Sequence, residues 1–175
     1  RAISLAIDRK AWNDSLHYGE ACVDSGPVPC ALADWKLPAS KMDPAKAKYL
    51  VGYDPQEAKR LLAEAGFGQG FELTMWQSIG RWVLAEETAQ VIAGYWDKVG
   101  VKTKVQVLEW AEFNKRAGGS AHKDCFYYAF INGTWDPSYL TQRFLPSYGS
   151  FRYSDATGDL LHVIEEHEQT FEAKK

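Results

Sequence analysis

Between residues 54 and 131 the hydrophobic pattern switches repeatedly between a helical and a strand period, and this alternation constrains the fold more than any other feature of the chain. Asp54-Pro55-Gln56-Glu57 supplies a capping aspartate, a proline at the first helical position and a glutamate three residues after the cap. Ala58, Leu61, Leu62 and Ala65 then form one apolar face, and Gly66 ends it. Residues 71–76 alternate as a strand does. In 85–99, Ala85, Ala89, Ile92, Trp96 and Val99 recur at helical spacing before Gly100. Val101, Thr103, Val105 and Val107 share one side of a β-branched run, 111–117 forms a short helix, and 125–131 is a nearly continuous apolar strand. Helices long enough to cross over between successive strands predict an α/β fold of three layers, with a mainly parallel sheet between helices and right-handed connections.

The flanks are less regular. Asp8 is placed to cap a helix carrying Ala11, Trp12 and Leu16, with Gly19 as its stop. From 20 to 53 no period is sustained and Pro27, Pro29, Pro38 and Pro44 punctuate the chain, so 20–53 reads as a long irregular excursion. A short helix is expected near 137–144 and a last one from about Thr157. With 175 residues, the chain suits a single lobe over 1–175. Arg1 opens directly into an apolar run and no cap signal follows Phe171, so the chain reads as a fragment of a longer protein.

Composition narrows the function classes. A formal net charge of −3 without runs of Lys or Arg offers no basic stripe for nucleic acid or anionic membrane. No apolar stretch approaches the roughly 20 residues of a membrane span. The three cysteines, Cys22, Cys30 and Cys125, lack the spacing of a zinc or redox site. Cys22 and Cys30 can close a short loop if the compartment oxidises; the alternative is two small thiols.

The candidate chemical constellations each have a plainer reading. Gly66-Phe67-Gly68-Gln69-Gly70 resembles a phosphate loop but follows a helix and opens a strand, the reverse of what a dinucleotide site requires, so a helix end and tight turn is expected. His162, Glu165, Glu166, His167 and Glu168 are able to bind metal, yet the exposed side of an ordinary helix has the same composition. Ser120, His122 and Asp124 alternate within a glycine-rich turn that lacks a nucleophile elbow. Glu109 and Glu112 suggest acid-base work, but Glu112 is equally an acid favoured in a helix's first turn. No catalytic residue, metal ligand or cofactor is therefore assigned. Trp82 and Trp135 fall in the loops after the first and third strands, where open parallel sheets bind ligands; ligand contact and ordinary core packing are both open for them.

The succession Ala6-Ile7-Asp8-Arg9, Gly26-Pro27-Val28-Pro29 and Tyr53-Asp54-Pro55 through Ala65-Gly66 resembles the large carboxy-terminal lobe of the dipeptide, oligopeptide and nickel solute-binding family (family 5). Gly70-Phe71-Glu72-Leu73, Val99-Gly100-Val101-Lys102, Glu109-Trp110, Trp135-Asp136-Pro137 and Tyr153-Ser154 match in order after it. The resemblance implies a periplasmic-binding-protein-like lobe of a two-lobed protein that closes on its solute by a hinge and docks on an ABC permease. In similar peptide binders an arginine in the loop after the first strand of this lobe holds the ligand carboxylate, and Arg81 lies in the matching loop. An aspartate three residues before the Asp-Pro pair holds the α-amine; Gly133 stands there in this chain, within Asn132-Gly133-Thr134-Trp135-Asp136.

The resulting expectation is a substrate-binding component of an ABC importer, not an enzyme. It would be periplasmic or extracellular and membrane-anchored, monomeric, and would meet a peptide-like or other small polar solute through Arg81, Trp82, Asn132, Gly133, Thr134, Trp135 and Asp136. The rival readings are a hydrolase or transferase on a similar sheet, which needs a nucleophile-base pair or a phosphate loop in context, and a docking domain without a ligand.

Overall fold

The computed structural model describes residues 1–23, 28–118, 125–129 and Asp136. The chain divides into two compact units. The first comprises Arg1–Ser25 and Leu37–Ala129, the second Gly26–Lys36 and Phe130–Lys175. In the second unit Val28 and Leu32 are buried, and the Leu32 carbonyl accepts the N–H groups of Trp35 and Lys36 in a tight turn.

The first unit contains α1 (Ala2–Leu5), α2 (Arg9–Leu16), a 3₁₀ turn (Ala39–Lys41), α3 (Pro44–Val51), α4 (Pro55–Glu64), β1 (Phe71–Ser78), α5 (Ala85–Asp97), β2 (Val101–Leu108), α6 (Trp110–Ala117) and β3 (Cys125–Phe126). The strands pair in the order β2-β1-β3, both pairs parallel, with Phe71 opposite Val101 and Trp76 opposite Phe126. The expected parallel α/β arrangement is present. Because β1 to β2 and β2 to β3 cross the sheet in opposite senses, right-handed connections put α5 and α6 on opposite faces. Met75, Val101, Val105 and Cys125 accordingly pack with Ala89 and Trp96 of α5, Leu5 and Ala6, and Ala58 and Leu62 of α4. Trp76 and Phe126 instead meet α6.

Local signals explain most elements. The Asp8 carboxylate accepts the Ala11 N–H, and Asp54 accepts those of Gln56 and Glu57. The Asp54 N–H donates to the Leu5 carbonyl, so Glu57 does not complete a reciprocal capping box; it grips Arg60 instead. Gly66 at φ 86° ends α4 with Phe67 N–H donating to Leu62 and Gly66 N–H to Ala63, the double bond of a Schellman ending, so the glycine-rich loop is a helix stop.

Two expectations are corrected. The 20–53 segment is not irregular throughout, because Asp43 and Pro44 repeat the aspartate-proline start that opens α4 and launch α3. The third strand covers only Cys125–Phe126 of the expected 125–131. Tyr127 N–H still donates to the Trp76 carbonyl, but Tyr127 and Tyr128 pack against Trp82 rather than extending the ladder; Phe130 and Ile131 lie outside the described residues. Among the described residues no helix is long and apolar enough to cross a membrane.

Candidate functional site

In a sheet of order β2-β1-β3, the switch point lies at the carboxyl end of β1, where neighbouring connections depart in opposite directions and leave a crevice. The loop 79–84 leaves the sheet there. Gly80 (φ 61°) and Leu84 (φ 54°) both adopt left-handed conformations, which turn the chain sharply on either side of Arg81, Trp82 and Val83. Ile79 N–H donates to the Leu108 carbonyl at 3.0 Å, so the loop starts in register with the end of β2, which leads into α6.

Trp82 sits half-buried in an aromatic cluster built from three chain segments. Its ring centroid lies 5.8 Å from those of Trp110 and Phe113, 5.2 Å from Tyr128 and 6.3 Å from Tyr127, mostly edge to face. Phe113 is the fixed point of the cluster. It is fully buried, stacks on Trp110 with 21° between the planes, and abuts Phe126 of β3. Its spacing from Trp110, three residues on one short helix, puts both rings on the same face.

Arg81 projects above this cluster. Its guanidinium carbon lies 4.6 Å from the Trp110 ring centroid, and among the described residues it makes no hydrogen bond or ion pair. A contact with a ring face occupies the cation but leaves the guanidinium's N–H fork without an oxygen partner. Such a group, exposed at a strand end beside apolar Ile79 and Val83, is suited to accepting an anionic ligand group.

A polar layer lies beneath. Gln77 and Ser78, the last residues of β1, are fully buried, and neither the Gln77 amide nor the Ser78 hydroxyl has a partner among the described residues. Burial pushes the Tyr127 phenol above its ordinary value, opposed by a hydrogen bond with the Thr88 side chain.

Arg81 and Trp82 therefore come together at the predicted strand end. Asn132, Gly133, Thr134 and Trp135 lie outside the described residues, and Asp136 is partly buried in the second unit. Ser120, His122, Asp124 and the 162–168 cluster also lie outside them. Glu109 and Glu112 are exposed at the start of α6, and Glu112 faces Arg116 at 3.5 Å, an arrangement of helix-surface charges and not of an acid-base pair. Cys22 and Cys30 are both disulfide-bonded, and Cys125 keeps its thiol. Trp110, Tyr127 and Tyr128 were not among the expected site residues. For Trp110 the signal existed, since it stands directly after the second strand, where the rule about carboxyl ends applies as well as after the first and third.

The model of the middle region of bacterial extracellular solute-binding proteins, family 5, matches residues 1–152. Heme-binding protein A of Haemophilus influenzae is 34% identical over 120 residues, covering 67% of this chain and 20% of that protein. The dipeptide-binding protein of Escherichia coli is 39% identical over 126 residues, covering 70% and 22%. The chain thus spans about a fifth of the length of these curated relatives. The fold is shared with the ABC transporter-associated periplasmic binding protein DppA from Helicobacter pylori, solved with the peptide STSA, at a TM-score of 0.72 and 23% identity over 96% of this chain and 33% of that one. The chain belongs to the bacterial extracellular solute-binding proteins of family 5.

Proposed function

We propose that this chain is part of the substrate-binding component of an ABC importer, capturing a peptide-like or other small polar solute outside the cytoplasmic membrane. The observation that carries the reading is Arg81, a guanidinium resting on Trp110 at the carboxyl end of β1 with its hydrogen-bonding fork unengaged by the described residues. Family membership and relatives named for binding dipeptides and heme agree with capture in place of catalysis. Trp82 supplies an aromatic wall beside it, a large contact area with little ordering cost. Asn132, Gly133, Thr134, Trp135 and Asp136 keep the solute-facing role that the resemblance implies. The protein acts as a monomer, periplasmic or membrane-anchored, and docks on membrane permease subunits.

Gly133 narrows the solute. An α-ammonium enclosed by protein needs a carboxylate or several acceptors, and removing one partner of a buried ion pair costs about 3–5 kcal/mol. Glycine offers only its backbone carbonyl, so, unless Asp136 or a residue from the other lobe substitutes, solutes without a free α-amine are favoured over ordinary dipeptides.

The test is a thermal-shift screen of the full-length protein against free and N-acetylated short peptides, nickel complexes, oligosaccharides, opine-like compounds and heme. A ligand at 100 times its Kd stabilises by about 2.7 kcal/mol, a readily measured shift. Arg81→Gln and Trp82→Ala should each reduce the response. A response untouched by both substitutions would remove this loop from the site, and tight binding of a free peptide that is lost on acetylation would refute the inference from Gly133.

A further inference from the structure

We propose that Trp110 is a positioning residue that holds the Arg81 guanidinium in place for a carboxylate, so that the solute's anionic end is read by an arginine and tryptophan from two different strand ends. The inference rests on the reading that Arg81 meets the solute. The carboxylate is the group that the family resemblance already implies for Arg81; what is added is the residue that holds the arginine ready for it.

An arginine on an exposed loop has many rotamers, and fixing it at the moment of binding costs affinity. Arg81 is already placed: its guanidinium carbon lies 4.6 Å from the Trp110 centroid, within the range of a cation-π contact, and no carboxylate among the described residues competes for it. The ring beneath is itself held. Trp110 is the first residue of α6, stacks on fully buried Phe113 at 5.9 Å, and meets the edge of Trp82 at 90°. Phe113 in turn abuts Phe126 of β3, so a continuous line of rings joins the sheet to the guanidinium. The bond from Ile79 N–H to Leu108 carbonyl ties the loop bearing Arg81 to the strand end that launches Trp110. The ring face engages the cation without using an oxygen acceptor, which leaves the planar fork for a carboxylate, the group whose two oxygens match it.

The experiment uses the full-length protein and measures affinity for N-acetyl dipeptides with a free terminal carboxylate, for their C-terminal amides, and for unacetylated dipeptides. The unaltered protein should prefer carboxylate to amide. Trp110→Leu should weaken carboxylate binding about two- to thirtyfold while leaving the amides nearly unchanged, the span expected for a cation-π contact. Trp110→Phe should restore most of the preference. Arg81→Gln should abolish it, and retention of the preference in that variant, or failure of every carboxylate probe to bind the unaltered protein, would overturn the reading of Arg81 and this inference with it. Loss of the preference in Arg81→Gln but not in Trp110→Leu would overturn the positioning role alone. A readout without ligand guards against a variant that does not fold. In the unaltered protein the Arg81 side-chain protons should resonate at high field under the indole ring current, and unshifted resonances would refute the contact.

Discussion

Gly70 and Gly100 meet at the amino ends of β1 and β2 so closely that a Cβ on Gly70 would stand 2.2 Å from the Gly100 carbonyl oxygen. Gly70 also has φ 78°, where a side chain is strained. Gly70→Ala should therefore destabilise by about 2–4 kcal/mol, combining strain with displacement of the β1–β2 pairing. Exposed Gly94 in α5 has nothing within 4 Å of an added Cβ, so Gly94→Ala should stabilise by about 0.5–1 kcal/mol. Urea unfolding of both variants measures the contrast, and equal effects would contradict it.

Arg9 is a structural latch. Its guanidinium donates to the Ser4 carbonyl at 3.0 Å and hydroxyl at 2.8 Å, and more weakly to the Gly52 carbonyl at 3.5 Å, joining the first helical corner to the chain that enters α4. Burial lowers its pKa, but an arginine remains charged at ordinary pH. Arg9→Met keeps the stem but removes the charged hydrogen bonds that join the two segments, a loss of about 1.5–3 kcal/mol expected from urea unfolding.

Phe113 carries the aromatic cluster. Phe113→Ala should cost about 3–5 kcal/mol, because a fully buried ring is replaced by a cavity between α6 and the sheet. Near-ultraviolet circular dichroism should lose intensity in the folded variant as Trp82 and Trp110 loosen. An unchanged spectrum with unchanged stability would show that the cluster does not depend on this ring.

Glu57 introduces a modest acid dependence. Its hydrogen bonds with Arg60 hold its carboxyl below the usual carboxylate range. A folded-state pKa below the unfolded value means that the contribution is present above the ordinary glutamate pKa of about 4.3 and disappears as pH falls through the folded value. Glu57→Gln should flatten that part of the stability profile without moving the neutral-pH midpoint much, since the pair is exposed and screened. Denaturation midpoints between pH 6 and pH 3 provide the measurement.

Local chemistry made much of the first unit legible. Aspartate caps at Asp8 and Asp54, the stops at Gly66 and Gly100, and the alternation of period from residue 54 onward correspond to real elements in the expected order. The same aspartate-proline device at Asp43 and Pro44 was passed over, because α3 is only two turns long and its apolar face is too short to register as a period. Arg9 belonged to a recognisable motif, yet its function as a latch depends on carbonyls from Ser4 and Gly52, far apart in the chain.

By itself the sequence determined most of the helices and strands between residues 54 and 117, that the strands run parallel, and that Arg81 and Trp82 follow the first of them, because caps, stops and periods act within a few residues. Only the tertiary structure decided that β1 lies in the middle of the sheet, that β3 stops after Phe126, and that Trp110 lies beneath Arg81. Those outcomes depend on which strand edges pair and which rings fill the space above them, and packing between segments leaves no periodic trace in the residues that take part.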